Sequence, residues 1–215
     1  MAKKLFELFS DFILDYKRCG DVAWVIGSGC SLDDIDLSQI PHLCVLCNAS
    51  VGLVDDAWWM VHDRRVFKEV SNKEFHVSVA IFTPRCFNYV RKRRSLSILN
   101  KIDTVVIAGD ELKKDIYVSF GATNLLDCLG FKKIIYAGID LTDINGKAYA
   151  DCVGKTVVRG LETRRGRTGR MNRFSFVRKS TKKFLGDEIF NKVITTSVHT
   201  ADLFKYMPFE EAIKL

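Results

Sequence analysis

Val25-Ile26-Gly27-Ser28-Gly29-Cys30-Ser31-Leu32 and, much later in the chain, Ile134-Ile135-Tyr136-Ala137-Gly138-Ile139-Asp140-Leu141 decide how this sequence is read. In each, an apolar run of strand length stops at glycine and gives way to small polar residues. Strands covered on both faces lack the polar alternation of half-exposed ones, which is how these runs read. A parallel α/β sheet receives its ligand at the carboxyl ends of such strands. The pair therefore predicts a nucleotide site built on a parallel sheet.

The flanking sequence extends the pattern. Candidate strands at 22–26, 43–47, 57–62, 76–82, 104–108, 133–138 and 193–196 alternate with helical stretches at 4–17, 64–71, 84–100, 120–130, 174–192 and 200–206. That alternation is the signature of βαβ units. It predicts an α/β fold: a single doubly wound, mostly parallel, Rossmann-like sheet spanning 1–215. Leu5, Leu8, Phe9, Phe12 and Tyr16 recur at helical spacing and support the first helix. No internal repeat and no second domain are visible.

With 215 residues and 47% apolar content, the chain can bury a substantial core. No apolar run reaches the ~18 positions of a membrane span. Glu7, Asp11 and Asp15 interrupt the apolar stretch after the basic amino terminus, so a secretory signal is not expected. The cysteine count of 7 is odd and scattered, which argues for a reducing, cytoplasmic setting. Cys44 and Cys47 form a C-x-x-C pair, but within a strand they point to opposite faces and cannot easily share a metal. No metal site is expected from them.

The net charge of +7 is unevenly placed. Residues 155–183 hold eleven Lys or Arg and one acid, Glu162, so the remainder of the chain is mildly acidic. The glycine-punctuated part, 155–173, reads as a mobile basic loop or lid. Its arginines, Arg164, Arg165, Arg167 and Arg170 among them, admit three readings. They clamp donor phosphates, they follow a nucleic-acid backbone beside Phe174 and Phe176, or they are simply solvated.

Single motifs have two readings each. Gly27, Ser28, Gly29 and Ser31 form a turn that suits close ligand approach and phosphate contact, or an ordinary tight turn. The spacing is not the dinucleotide G-x-G-x-x-G, because Leu32 occupies the third glycine position. Asn48 ends the next strand and either bonds a base edge or ribose, or caps the following helix. Asp63, after Trp58-Trp59-Met60-Val61-His62, reads first as a cap. Ser119 and Gly121 open a helix, as a phosphate contact or as capping chemistry. Asp140 binds a ribose hydroxyl or a metal, or orients its own loop.

Taken in order, V-I-G-x-G-x-S-L, then C-N, then A-G-I-D with N-G-x-x-Y, resemble the bacterial family-42 sialyltransferases. The 197–204 stretch Ser197-Val198-His199-Thr200-Ala201-Asp202-Leu203-Phe204 resembles the same family. The skeleton is also similar to archaeal-type hydroxymethyldihydropterin pyrophosphokinases. The likeness covers about 25–50, 115–151 and 193–213 and leaves the middle and the basic segment unmatched. It implies that Gly27, Ser28, Gly29, Ser31 and Asn48 hold a cytidine nucleotide, that the Ser119 turn joins them, and that Tyr149 holds the donor phosphate. Thr142 stands where the family has a second tyrosine, and the family's lid histidine has no counterpart among these arginines. His62 and His199 are the replacements available, with His199 the candidate base at a strand-to-helix junction.

The expectation is a glycosyltransferase using a nucleotide-sugar co-substrate, CMP-sugar type favoured, with no cofactor or obligatory metal. Its acceptor hydroxyl would lie on a saccharide or a modified nucleic acid. The alternatives are a Mg²⁺-dependent pyrophosphokinase acting on a pterin-like alcohol, and a nucleic-acid-binding protein on the same fold.

Overall fold

The computed structural model describes residues 6–8, 12, 13, 20–93, 96–108, 117–142, 144, 150–153 and 164–215; for 6–8, 93, 96 and 164–173 it describes the backbone alone. Among the described residues nine strands form one sheet: β1 (Phe6–Leu8), β2 (Val22–Ile26), β3 (Leu43–Cys47), β4 (Trp58–Val61), β5 (Val77–Phe82), β6 (Ile102–Ile107), β7 (Lys133–Ala137), β8 (Val193–Thr195) and β9 (Lys205–Tyr206). Their spatial order is β1-β6-β5-β4-β3-β2-β7-β8-β9, and every pairing is parallel. From β2 the chain steps outward through β3 to β6, then returns to place β7 on the other flank of β2. That reversal is the switch point of a doubly wound, Rossmann-like sheet, and its crevice opens outside the carboxyl ends of β2 and β7.

The strand sequences explain the layering. All five residues of β2 and all four of β4 are buried, which requires cover on both faces. Alternate side chains feed two apolar layers. Trp24, Ile26, Leu46, Trp59 and Phe82 point to one, and Ala23, Val25, Val45, Met60 and Ile81 to the other. Cys44 lies in the first layer and Cys47 in the second, so the two thiols do face apart as their spacing predicts. Burial pushes Cys44 up to about 12 and Cys47 higher still, leaving both as inert thiols.

The described helices are α1 (Val66–Val70), α2 (Pro84–Arg93), α3 (Leu96–Leu99), α4 (Val118–Cys128), α5 (Arg164–Leu185), α6 (Asp187–Lys192) and α7 (Phe209–Ala212). Helix α4 crosses β2, β3 and β4 with every residue from Val118 to Leu126 buried. Helix α5 lies on α4 and α6.

Four expectations are corrected. The stretch 4–17 is not one helix: Phe6, Glu7 and Leu8 pair with Val105, Val106 and Ile107, and helix is described only at Phe12 and Ile13. The open edge of β6 offers backbone partners that override local helical spacing. For the same reason 200–206 is no helix, because Lys205 and Tyr206 pair with Ile194 and Thr195. The stretch 174–192 divides at Gly186, whose φ of 79° ends α5 and whose N–H donates to Lys182 O at 2.9 Å.

The basic segment is the fourth. Residues 164–173 belong to helix α5 and are not a loop. Charge alone does not oppose helix, since Arg and Lys are good helix formers. Phe174, Val177, Thr181 and Leu185, spaced by threes and fours, bury one face of α5. The remainder of the predicted lid, 155–163, lies outside the described residues.

Candidate functional site

The exits of β2 and β7 are locked back to back. Gly27 N–H donates to Ala137 O and Gly29 N–H to Gly138 O, each at 2.8 Å. A Cβ on Gly27 would stand 2.2 Å from Gly138 O, and one on Gly29 would stand 2.4 Å from Asp140 Oδ2. Gly138 itself has φ 64°, and its Cβ would meet Leu32 Cγ at 2.6 Å. These glycines are thus required by the contact between two loops. The N–H groups of Gly27 and Gly29 point into that seam, so neither is offered to a phosphate.

Asp140 is the knot of the seam. Only 3% exposed, it accepts from Ser31 N–H at 3.0 Å, from Ser31 Oγ at 2.5 Å and from Ser197 Oγ at 2.6 Å. One carboxylate therefore ties together the loops after β2, β7 and β8. Of the readings open to Asp140, orienting its own loop is the one these contacts carry. Leu141, the next residue, takes φ 51°, a left-handed conformation that costs a non-glycine residue on the order of 1–2 kcal/mol. The three hydrogen bonds hold the backbone that bears that strain.

Ser197 was not singled out by sequence reasoning, although it directly follows the predicted strand 193–196. Its N–H donates to Thr195 Oγ1 at 3.1 Å, and its Oγ accepts from His199 N–H at 3.3 Å, capping the turn Val198–Thr200. His199 is half-buried on that turn. Arg178 of α5 fixes it from outside, donating to His199 O at 3.0 Å and to both oxygens of Asp202 at 2.6 Å. The candidate base is therefore placed by its backbone at the carboxyl edge, two residues from the Asp140 knot.

Asn48 sits at the adjacent exit, after β3. Its φ of 52° is left-handed, a conformation asparagine tolerates. Its Oδ1 accepts from His62 N–H at 3.1 Å and Asp63 N–H at 3.4 Å, while Trp59 Nε1 donates to its main-chain oxygen at 2.7 Å. Asn48 thus binds the β3 exit to the β4 exit, and its Nδ2 donors are engaged by no described residue. Asp63 accepts from Arg65 N–H at 2.9 Å, as a cap would.

Helix α4 begins beside this group. Gly121 allows the helix to seat on β4, since a Cβ there would meet Met60 Cε at 2.8 Å and the His62 ring at 3.2 Å. Ser119 is fully buried, and its Oγ has no hydrogen-bond partner among the described residues. Thr123 Oγ1 bonds both Ser119 O, at 2.8 Å, and Tyr136 Oη, at 2.5 Å, pinning the helix to β7.

Tyr149 lies outside the described residues. Its neighbour Ala150 donates N–H to Ser28 O at 3.0 Å, and Asp151 N–H reaches Asp33 Oδ1 at 2.8 Å. Lys73 completes this docking by donating Nζ to Val153 O at 2.7 Å and Ala49 O at 3.2 Å. Burial draws its ammonium below the ordinary lysine pKa. Nothing in the sequence marks Lys73 out from the other lysines. Arg164, Arg165, Arg167 and Arg170 fall in the first turns of α5, and their side chains lie outside the described residues.

The edge thus gathers Gly27, Ser28, Gly29, Ser31, Asn48, Ser119, Gly121, Asp140 and His199 at the exits of β2, β3, β7 and β8 and the start of α4. Among the described residues no three His, Cys, Asp or Glu side chains are grouped to hold a metal. No described helix is long and apolar enough to cross a membrane. What the fold and this edge define is a Rossmann-like, all-parallel α/β protein. No family model matches the chain, and no curated protein or solved structure matches it either.

Proposed function

We propose that the protein is a nucleotide-dependent transferase, with a CMP-sugar as the favoured donor and an acceptor hydroxyl as the second substrate. The observation that supports it most is the convergence of Ser28, Asn48 and the 197–199 turn on the switch-point crevice, where doubly wound sheets receive nucleotides. The resemblance at Gly27, Asn48 and 134–149 favours a cytidine nucleotide over others.

Within this reading the residues divide by what their atoms still have to offer. Asn48 Nδ2 donates to the acceptor atoms of the base or ribose. Asp140 is a positioning residue, because its carboxylate is occupied by Ser31 and Ser197. His199 takes the proton from the acceptor hydroxyl as the departing phosphate accumulates charge. Tyr149 and the α5 arginines are assigned to that phosphate by resemblance and by charge.

A thermal-shift screen of the full chain against CMP, UDP, GDP and ATP tests the reading. A ligand at ~100 times its Kd stabilises by about 2.7 kcal/mol, which raises Tm by ~5–10 °C for a chain of this size. A rise with CMP alone supports the proposal. A rise with ATP alone, dependent on Mg²⁺, would transfer the assignment to a pyrophosphokinase.

A further inference from the structure

Helix α5 carries two unlike sets of residues. Phe174, Val177, Thr181 and Leu185 are buried against the core. On another face Phe176 is 60% exposed, and Lys179 and Lys183 are exposed three and seven positions on. Spacings of three, four and seven put side chains on one helical face. Lys182 is engaged by Asp187 at 3.0 Å and Arg178 by Asp202, whereas Lys179 and Lys183 form no ion pair among the described residues. Toward its start, α5 continues for about 15 Å of helix through 164–173, where the sequence places Arg164, Arg165, Arg167, Arg170 and Arg173.

We propose that this outer face of α5 holds a single strand of nucleic acid. Cations spaced along a helix match a chain of phosphates, and an exposed ring beside them offers a platform on which an unpaired base stacks. Charge complementarity is specific to this helix, whose residues 164–185 include nine Lys or Arg and no acid within a chain of net +7. A membrane surface is the poorer match, because insertion needs an apolar helix face and that of α5 is already buried in the core. Arg178, two residues and so about 200° round the helix from Phe176, ties the other side of α5 to His199 and Asp202, which leaves Phe176, Lys179 and Lys183 facing solvent. The inference deepens the transferase reading by naming the acceptor class. Its test uses no donor, so the two can fail separately.

The experiment is fluorescence anisotropy of the full chain with a labelled ~20-nucleotide single-stranded DNA and an RNA of the same sequence. Titrations run from about 50 to 200 mM salt. Binding of either strand is expected, weakening steeply with salt, and the tighter of the two identifies the source. Phe176→Ala should weaken binding at least ~5-fold, the equivalent of losing one stacked base. Lys179→Ala with Lys183→Ala should flatten the log–log salt slope by about 1.4. Melting curves should shift little, since Lys179 and Lys183 are exposed and Phe176, 60% exposed, keeps only an edge-on contact with Phe184. No binding of either strand at low salt overturns the proposal. So does binding that Phe176→Ala leaves intact, or capture by phosphatidylserine vesicles in place of both strands.

Discussion

At the seam between β2 and β7, Gly27, Gly29, Ser31, Asp140 and Ser197 direct their hydrogen bonds at the protein itself. On the outer face of α5, Lys179 and Lys183 direct theirs at solvent. Both regions attract notice in the sequence for the same reason, a density of residues associated with phosphate. The structure separates them by what remains unsatisfied. A polar group whose partners are all internal stabilises the fold, while a donor left at an edge is what a ligand meets. By that measure Asn48 Nδ2 and the α5 cations are better ligand contacts than the glycine turn that draws the eye first.

The sharpest way to break this comparison is at Asp140. Asp140→Ala leaves the buried Ser197 Oγ and the half-buried Ser31 N–H and Oγ without their acceptor. Urea unfolding should show a loss of about 3–4 kcal/mol. Full stability with lost turnover would instead mark Asp140 as a reacting group and dissolve the distinction. Asp140→Asn, which keeps an acceptor oxygen, should fall between the two proteins.

Gly27→Ala comes next. Its new Cβ would meet Gly138 O, a backbone atom that a side-chain rotation cannot move. Relief requires the β2 and β7 exits to part, at a cost of about 1–3 kcal/mol. A Gly27→Ala protein of native Tm that has lost only its nucleotide response would mean that the glycine serves ligand approach after all.

Much of this was legible in the sequence. The strands 22–26 and 43–47 are found where their unbroken apolar runs put them, because burial on both faces leaves no room for polar residues. The opposite-facing thiols followed from strand alternation alone. What escaped notice depends on partners distant in sequence. Phe6–Leu8 became a strand because β6 had an open edge, and Lys205–Tyr206 because β8 did. The role of Asp140 needed Ser31 and Ser197, over a hundred positions away in one case and over fifty in the other, as the 109 and 57 separations record. The basic segment misled because arginine and glycine suggested a loop, while the apolar spacing that continues the helix begins only at Phe174.

The smallest expected effect concerns the joint between the two regions, Arg178 with Asp202. Hydrogen bonding from Arg178 holds the Asp202 carboxyl below its ordinary value of 3.8. A carboxylate whose folded pKa is lowered adds stability that is complete well above the unfolded value and is lost as pH falls through the folded one. The Asp202 side chain is 67% exposed, so solvent screens the pair and its worth is under about 1 kcal/mol. Asp202→Asn should therefore unfold slightly earlier in urea at neutral pH, and the gap to the parent chain should close as pH drops below 3.8. A gap that persists unchanged in acid would mean that the pair's charge is irrelevant. The anchoring of α5 beside His199 would then rest on the Arg178 bond to His199 O and on the buried Phe174, Val177, Thr181 and Leu185.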